Sequence, residues 1–306
     1  MHSQTVLSIK RNFRVLKGNL PMSDNNTVSP KPPRNEHELE LRLVRMLGND
    51  NRRMLVMRHM MANAIAGQFL PKGSILKGGG SLRFRFGSSF TRNTIDFDTT
   101  RSVELDVFLS ELKRSLEVGW NGFTGQLAIL PQASPKGVPF DYVMQPVDLK
   151  LRYKGQPWCT VNLEISHDEA DAAQDCEMTS PGEEVMSVFR DLGFPSPGPV
   201  PLISLEHQIA QKLHGASGLS EHNQRAHDLI DLQVMMQTEK IDLGTVLKIC
   251  RRLFAQRRMQ PWPTFIKARE SWPEIYNAQK MNLNVLPTVE DAVAWTNGLI
   301  EKIDRA

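Results

Sequence analysis

The stretch Gly73–Asp98, GSILKGGGSLRFRFGSSFTRNTIDFD, limits what this chain can fold into more than any other. An apolar strand entry (Ile75, Leu76) runs into three glycines (Gly78, Gly79, Gly80) and Ser81, and a basic-apolar segment then leads to two aspartates one residue apart. That order predicts a strand-turn-helix-strand unit. Glycines let backbone N–H groups approach a triphosphate that a Cβ would obstruct. Asp96 and Asp98 have the strand period of two, so both carboxylates leave one face and can share a divalent metal. A glycine triplet alone reads as a turn and Asp-Phe-Asp alone as a solvated strand edge. In this order they point to nucleotidyl or phosphoryl transfer. No Gly-Lys-Ser/Thr follows the glycines, so this is not a P-loop, and GGGSLR lacks the third glycine of the dinucleotide fingerprint.

The stretch resembles the signature of the DNA polymerase β-like nucleotidyltransferase superfamily, a Gly-Gly/Ser turn followed by Asp-x-Asp. LKGGGSLRFRFG resembles more closely the first motif of the AbiEii/AbiGii toxin family, which includes MenT-like toxins: a lysine, two glycines, Thr, a small residue, Leu and a basic residue. Gly80 stands where that family commonly has Thr, and Thr94 where it is often acidic, whereas Ser81 and Arg83 fit. Two later helical motifs of the family, Glu-x-x-x-x-x-Lys-Leu and Arg/Lys-x-x-Asp-Leu-x-Asp-Leu, are matched by Glu206, Lys212 and Leu213, then by Arg225, Asp228, Leu229, Asp231 and Leu232.

The resemblance implies an α+β, bilobed fold: a nucleotidyltransferase-like mixed β-sheet lobe with flanking helices, then a mainly helical C-terminal lobe, with the active site between them. It implies a toxin of a toxin–antitoxin or phage-defence system that transfers NMP from an NTP, with Mg²⁺ or Mn²⁺, to the 3′ end of tRNA and blocks translation. A cognate antitoxin would be a partner, whether or not it binds directly. Asp96, Asp98, Lys212 and Asp228 would then be catalytic, and Gly78, Gly79, Gly80, Ser81, Arg83 and Lys212 would hold the nucleotide. Asp228 would be a base or an orienting group, and Asp231 its partner or a packing residue. A protein or small-molecule acceptor, or a nucleotide- or partner-binding module without catalysis, are the alternatives.

The length of 306 residues suffices for two domains with real cores, and 40% hydrophobic with 23% charged residues is ordinary for a soluble globular protein. A net charge of +3 does not by itself demand nucleic acid. Three cysteines (Cys159, Cys176, Cys250) with no CxxC argue for a reducing, cytoplasmic setting and against a structural zinc. No apolar run is long enough to span a membrane.

Residues 1–35, rich in Asn, Ser, Pro and Lys with a basic group (Lys10, Arg11, Arg14, Lys17), read as a flexible segment ahead of a catalytic lobe over 36–195 and a helical lobe over 196–306. From Glu36 the spacing predicts helices, with Leu39, Leu43, Met46 and Leu47 in one stripe and Met54, Met57, Met61, Ile65 and Phe69 in the next. VELDVFLSELKRSL predicts a helix covering the sheet with Val107, Leu109, Leu112 and Leu116. Strands are expected near 123–130, 146–153 and 158–166, with turns at Pro-Lys-Gly and Lys-Gly-Gln between them. In WCTVNLEIS, Val161, Leu163 and Ile165 point one way and Thr160, Asn162, Glu164 and Ser166 the other. From composition Glu164 is an exposed strand residue; from the resemblance it is the third metal ligand, with Asp148 as runner-up and His167 and Asp168 as an ordinary strand end.

The Pro/Gly-rich DLGFPSPGPVPLIS marks the passage out of the sheet. In the next helix Leu205, Ile209 and Leu213 form the buried stripe and Lys212 lies off it, after a partial cap at Ser204. Arg251, Arg252, Arg257 and Arg258 present either an RNA-binding face or a solvated one. Trp262, Trp272 and Tyr276 are expected to close the helical core, and the last helix to turn Val289, Val293, Thr296 and Ile300 inward.

Overall fold

The computed structural model describes residues 30–94, 96–133 and 143–306, so the basic group at 10–17 and the Pro-Lys-Gly turn at 135–137 lie outside the described residues. Seven strands among them form one mixed sheet: β1 (Ile75–Lys77), β2 (Phe97–Arg101), β3 (Phe123–Ile129), β4 (Gln145–Tyr153), β5 (Gln156–His167), β6 (Glu177–Thr179) and β7 (Val200–Leu202). Their spatial order is β3-β4-β5-β2-β1-β7-β6. β2 runs parallel to β5 and antiparallel to β1, and the register sets Lys77 beside Asp98 and Asp98 beside Glu164. Three residues distant in sequence thereby lie in one row across the sheet.

Alternation decides the faces of β5. Val161, Leu163 and Ile165 are buried, whereas Thr160 and Asn162 are exposed and Glu164 is half-buried. The apolar face meets α1 (Glu36–Leu47), α2 (Asn51–Gly67), α4 (Leu105–Val118) and α5 (Glu183–Asp191) in one continuous core. Asn35 and Asp50 cap α1 and α2, each carboxyl or amide oxygen accepting from backbone N–H groups of the first turn. Of the expected stripes, Leu39, Leu43 and Leu47 of α1 and Met54, Met57, Met61 and Ile65 of α2 are buried, as is Phe69 beyond α2; Met46 is half-buried, and Met60 joins the second stripe. In α4 the inward face is Phe108, Leu112 and Leu116, at strict four-residue spacing; Val107, expected inward, is 47% exposed because it precedes Phe108 by 100° of helix. Residues 30–35 lie against this lobe, with the Tyr153 hydroxyl donating to Pro33 O at 2.6 Å and Arg42 Nη1 donating to Lys31 O at 2.8 Å.

The Pro-rich stretch does not leave the sheet where the sequence predicts. Val200–Leu202 returns as β7, parallel to β1, before the chain departs at Ser204. Three residues are too few for a strand period to show in the sequence, so the pairings with Leu76 of β1 and with β6 reveal this strand. A second core is built by α6 (Leu205–Ala216), α7 (Ala226–Thr238), α8 (Leu243–Arg257), α9 (Trp272–Lys280) and α10 (Val289–Asp304). Trp272 and Tyr276 are fully buried in it, and Trp262 packs edge-on against Phe254. In α10, Val289, Thr296 and Ile300 are buried, and Ala292, Leu299 and Ile303 carry the rest of the inward face where Val293 is only half-buried. Leu82, from the glycine-led helix α3 (Gly78–Phe86), and Ala170, from the loop after β5, also belong to this second core. The two lobes therefore interlock at the motif. No helix among the described residues is long and apolar enough to cross a membrane.

Candidate active site

The glycines begin a helix. β1 ends at Lys77 and α3 starts at Gly78, whose φ of +67° suits a residue without a Cβ. Each glycine makes room for a different protein group. A Cβ on Gly78 would stand 1.9 Å from Asp98 Oδ2, one on Gly79 2.8 Å from Arg92 Nη2, and one on Gly80 2.9 Å from the carbonyl oxygen of Asp96. The triplet thus presses α3 onto the acidic strand. The Ser81 hydroxyl is buried, donates to Gly78 O at 2.9 Å and lies 3.2 Å from Gln208 Oε1. Arg83 is buried as well, and its Nη1 donates to Asn93 Oδ1 and Thr94 O.

A cleft of about 710 Å³ opens between the central strands β1, β2 and β5 of the first lobe and α6–α8 of the second. Lys77, Gly78 and Asp98 line one side, and Lys212, Arg225 and Asp228 the other. Gly79, Gly80, Ser81 and Arg83 are not among its lining residues; Gly80 and Arg83 face a separate small cavity with Met60 and Asn63. His167 and Asp168, expected to be an ordinary strand end, line the cleft.

Asp98 and Glu164 lie within hydrogen-bond reach across the β2–β5 pairing. Burial, aided by the Asp98 and Asp96 charges, pushes the Glu164 carboxyl up to about 7. Burial likewise raises Asp98. Asp96 is exposed and immediately precedes β2. Asp148 sits one strand further out, where its carboxylate accepts from Asn162 Nδ2 at 3.0 Å. Among the described residues no three His, Cys, Asp or Glu side chains are drawn together as a ready metal cage. The donor chemistry nevertheless fits a divalent cation: two adjoining carboxyls with raised pKa, and a third acid two residues from one of them, carry repulsion that a hard cation relieves. Lys77 is the cation present beside them, its Nζ donating to Ser166 Oγ at 2.7 Å and its pKa lowered by burial.

Across the cleft, Lys212 is 6% exposed rather than off the buried stripe. Its ammonium is taken by both aspartates of α7, at 2.9 Å from Asp228 Oδ1 and 2.6 Å from Asp231 Oδ2. These two carboxylates, three residues apart, share a helical face and can meet one lysine. Burial opposes the charge on Asp228, but Lys212 and Arg225 hold its carboxyl down at about 2. Asp231 also accepts from Arg92 Nε, at 3.1 and 3.0 Å.

Two of the four arginines expected to form an RNA face are engaged elsewhere. Arg257 pairs with Glu169 and donates to His214 Nδ1 at 3.0 Å, and Arg252 pairs with Asp171 at 2.9 Å and with Ala170 O. Together they clamp the loop after β5 onto α8. Arg251 and Arg258 remain exposed. Sequence reasoning did not single out Lys77, Arg92 or Gln208, and it read Arg257 as part of an RNA-binding or solvated face rather than as a residue lining the cleft. Only Lys77 left a signal, as the lysine ahead of the glycines one strand position from the turn.

A glycine-led helix packed on an acidic strand pair, facing a lysine–aspartate site on a helical lobe, defines a nucleotidyltransferase. Residues 59–295 match the family described as "Nucleotidyl transferase AbiEii toxin, Type IV TA system", and the chain belongs to it. No curated protein matches the chain. Solved structures with a similar chain path include JHP933 from Helicobacter pylori, at 16% identity over 80% of this chain and 89% of that one, with a TM-score of 0.42. MenT4, a nucleotidyltransferase toxin from Mycobacterium tuberculosis, matches at 15% identity over 86% and 97%, with a TM-score of 0.47. An antigenic nucleotidyltransferase-like protein from Paracoccidioides brasiliensis matches at 15% identity over 66% and 89%, with a TM-score of 0.38.

Proposed function

We propose that this nucleotidyltransferase toxin transfers NMP from an NTP to the 3′ end of tRNA in a Mg²⁺- or Mn²⁺-dependent reaction, in the cytoplasm, as the toxin of a phage-defence pair opposed by a cognate antitoxin. The observation that carries the reading is the cleft with Asp98 on one wall, Glu164 beside it on the neighbouring strand, and Lys212–Asp228 on the other wall. Asp96, Asp98 and Glu164 would hold the metal, which when bound supplies charge stabilisation for in-line displacement at the α-phosphate. Lys212 has three N–H groups and spends two on Asp228 and Asp231, leaving one for the triphosphate. Arg225, exposed at the cleft, adds a second cation. The Asp228 carboxylate accepts from Lys212 Nζ at 2.9 Å and is held below the usual carboxylate range by Lys212 and Arg225, which suits it to orient that lysine. Gly78 lets Asp98 take its place, and Gly79, Gly80 and Ser81 support the acidic strand and α3 from behind.

Engagement of Arg252 and Arg257 in the clamp favours a second reading, in which the acceptor is a protein or small molecule that needs no extended basic surface. The test is transfer from each of the four α-³²P-labelled NTPs, with Mg²⁺, to total bacterial tRNA, with Asp96→Ala as control. Label on tRNA that vanishes in the variant supports the tRNA acceptor. Label only on a protein or small molecule in lysate moves the assignment to the second reading, and bound NTP without transfer to anything overturns catalysis.

A further inference from the structure

Arg92 reaches from the loop ahead of β2 into the second lobe. Its side chain is only 12% exposed, and its Nε donates to both oxygens of Asp231 while Lys212 Nζ donates to Oδ2 of the same carboxylate. Its Nη2 stands where a Cβ of Gly79 would be, 2.8 Å away, so the second glycine of the motif makes room for this guanidinium. Arg92 also feels the charges of Asp228 and Asp98. It therefore joins the acidic strand, the glycine helix and the lysine site.

The charge count shows what the arginine does there. Asp228 and Asp231 are both nearly inaccessible to water, and Lys212 alone balances only one of them. With Arg92 the buried group is neutral, and the free N–H of Lys212 can meet an anion without a net negative charge behind it. Without Arg92 the buried part of this wall would carry an excess carboxylate where water screens little, with the exposed Arg225 on the Asp228 side as the other cation nearby.

Resting on the nucleotide reading above, we infer that Arg92 is a positioning residue for NTP binding: through Asp231 it neutralises the surplus carboxylate beside Lys212 and so keeps that lysine available to the phosphates. Arg92 acts on the nucleotide through this pair. The function of Asp231 is to hold Arg92 and Lys212 together.

The experiment is calorimetric titration of the full chain with the four α,β-methylene NTPs and Mg²⁺, with thermal unfolding as a check on each variant. Arg92→Gln weakens binding by at least about tenfold, and Arg92→Lys, which keeps the charge, loses less. Asp231→Asn in the Arg92→Gln background removes the surplus carboxylate and recovers most of the lost affinity, although it removes yet another native hydrogen bond. A double variant no better than Arg92→Gln overturns the inference and leaves the nucleotide reading intact. An unaltered protein that binds none of the four analogues overturns both.

Discussion

Gly78 and Glu164 show how single residues set this site. At Gly78 a new Cβ would meet both a positive φ and the Asp98 carboxylate, a firmly packed neighbour. Gly78→Ala is expected to lower stability by about 1–3 kcal/mol and to abolish transfer, read by urea denaturation and by the labelled-NTP assay. Gly79→Ala meets the far end of the Arg92 side chain and, at 3.2 Å, Thr94 Cγ2, and is expected to be milder. Glu164 carries a pH dependence whose sign follows from its raised pKa. Between the ordinary 4.5 and about 7 the folded protein holds a proton that the unfolded chain has released, so stability falls as pH rises through that window. Glu164→Gln flattens the slope in metal-free buffer, as measured by denaturation at a series of pH values; a slope unchanged in the variant would remove Glu164 as its source. The Asp-Phe-Asp spacing pointed to a strand, of which the structure includes Asp98 while Asp96 stands just ahead of it, and the alternation of β5 set Glu164 apart from the apolar face. Lys77 and Arg92 were not legible in the sequence, since what matters about each is a partner: Ser166 lies 89 residues away and Asp231 lies 139.

At the scale of elements, α8 divides its arginines between two tasks. Arg252 and Arg257 tie the loop after β5 to the helical lobe, whereas Arg251 and Arg258 face solvent. Replacing Arg257 leaves Glu169, itself 8% exposed, with an unpaired charge. Arg257→Ala is expected to cost about 3 kcal/mol or more in denaturant, with Arg252→Ala costing less because Asp171 is exposed. Arg251→Ala with Arg258→Ala is expected to leave stability within about 0.5 kcal/mol and, if tRNA is the acceptor, to reduce the salt dependence of tRNA affinity by roughly two phosphate contacts. The sequence showed a basic helix and could not divide it, because an ion pair with a loop 80 or so residues earlier has no local spacing. For the same reason Lys212 read as a surface residue: its burial depends on two carboxylates from the neighbouring helix. The face of α4 was misread by one position, where an apolar Val107 beside Phe108 left the periodicity ambiguous.

Across the whole molecule, two apolar cores meet at α3. Leu82 follows the glycine motif by two residues yet packs in the helical core, so the segment that carries the motif also holds the lobes together. Leu82→Ala is expected to cost about 2–4 kcal/mol and to split a single calorimetric transition into two as the lobes uncouple; a single transition shifted to lower temperature would show that the other interlobe contacts suffice. The sequence by itself determined the order and kind of the main elements and the family, because helix stripes, strand alternation and the glycine-to-aspartate spacing are local patterns written within one or two turns or strands. Only the tertiary structure decided that the glycines make room for Asp98, Arg92 and Asp96 and that Val200–Leu202 belongs to the sheet. It likewise placed Lys212 in a buried charge group and two arginines in a clamp. Those facts depend on which distant charges and backbones come within a few ångströms, and a buried ion pair or a close approach exists only once both partners have been folded together.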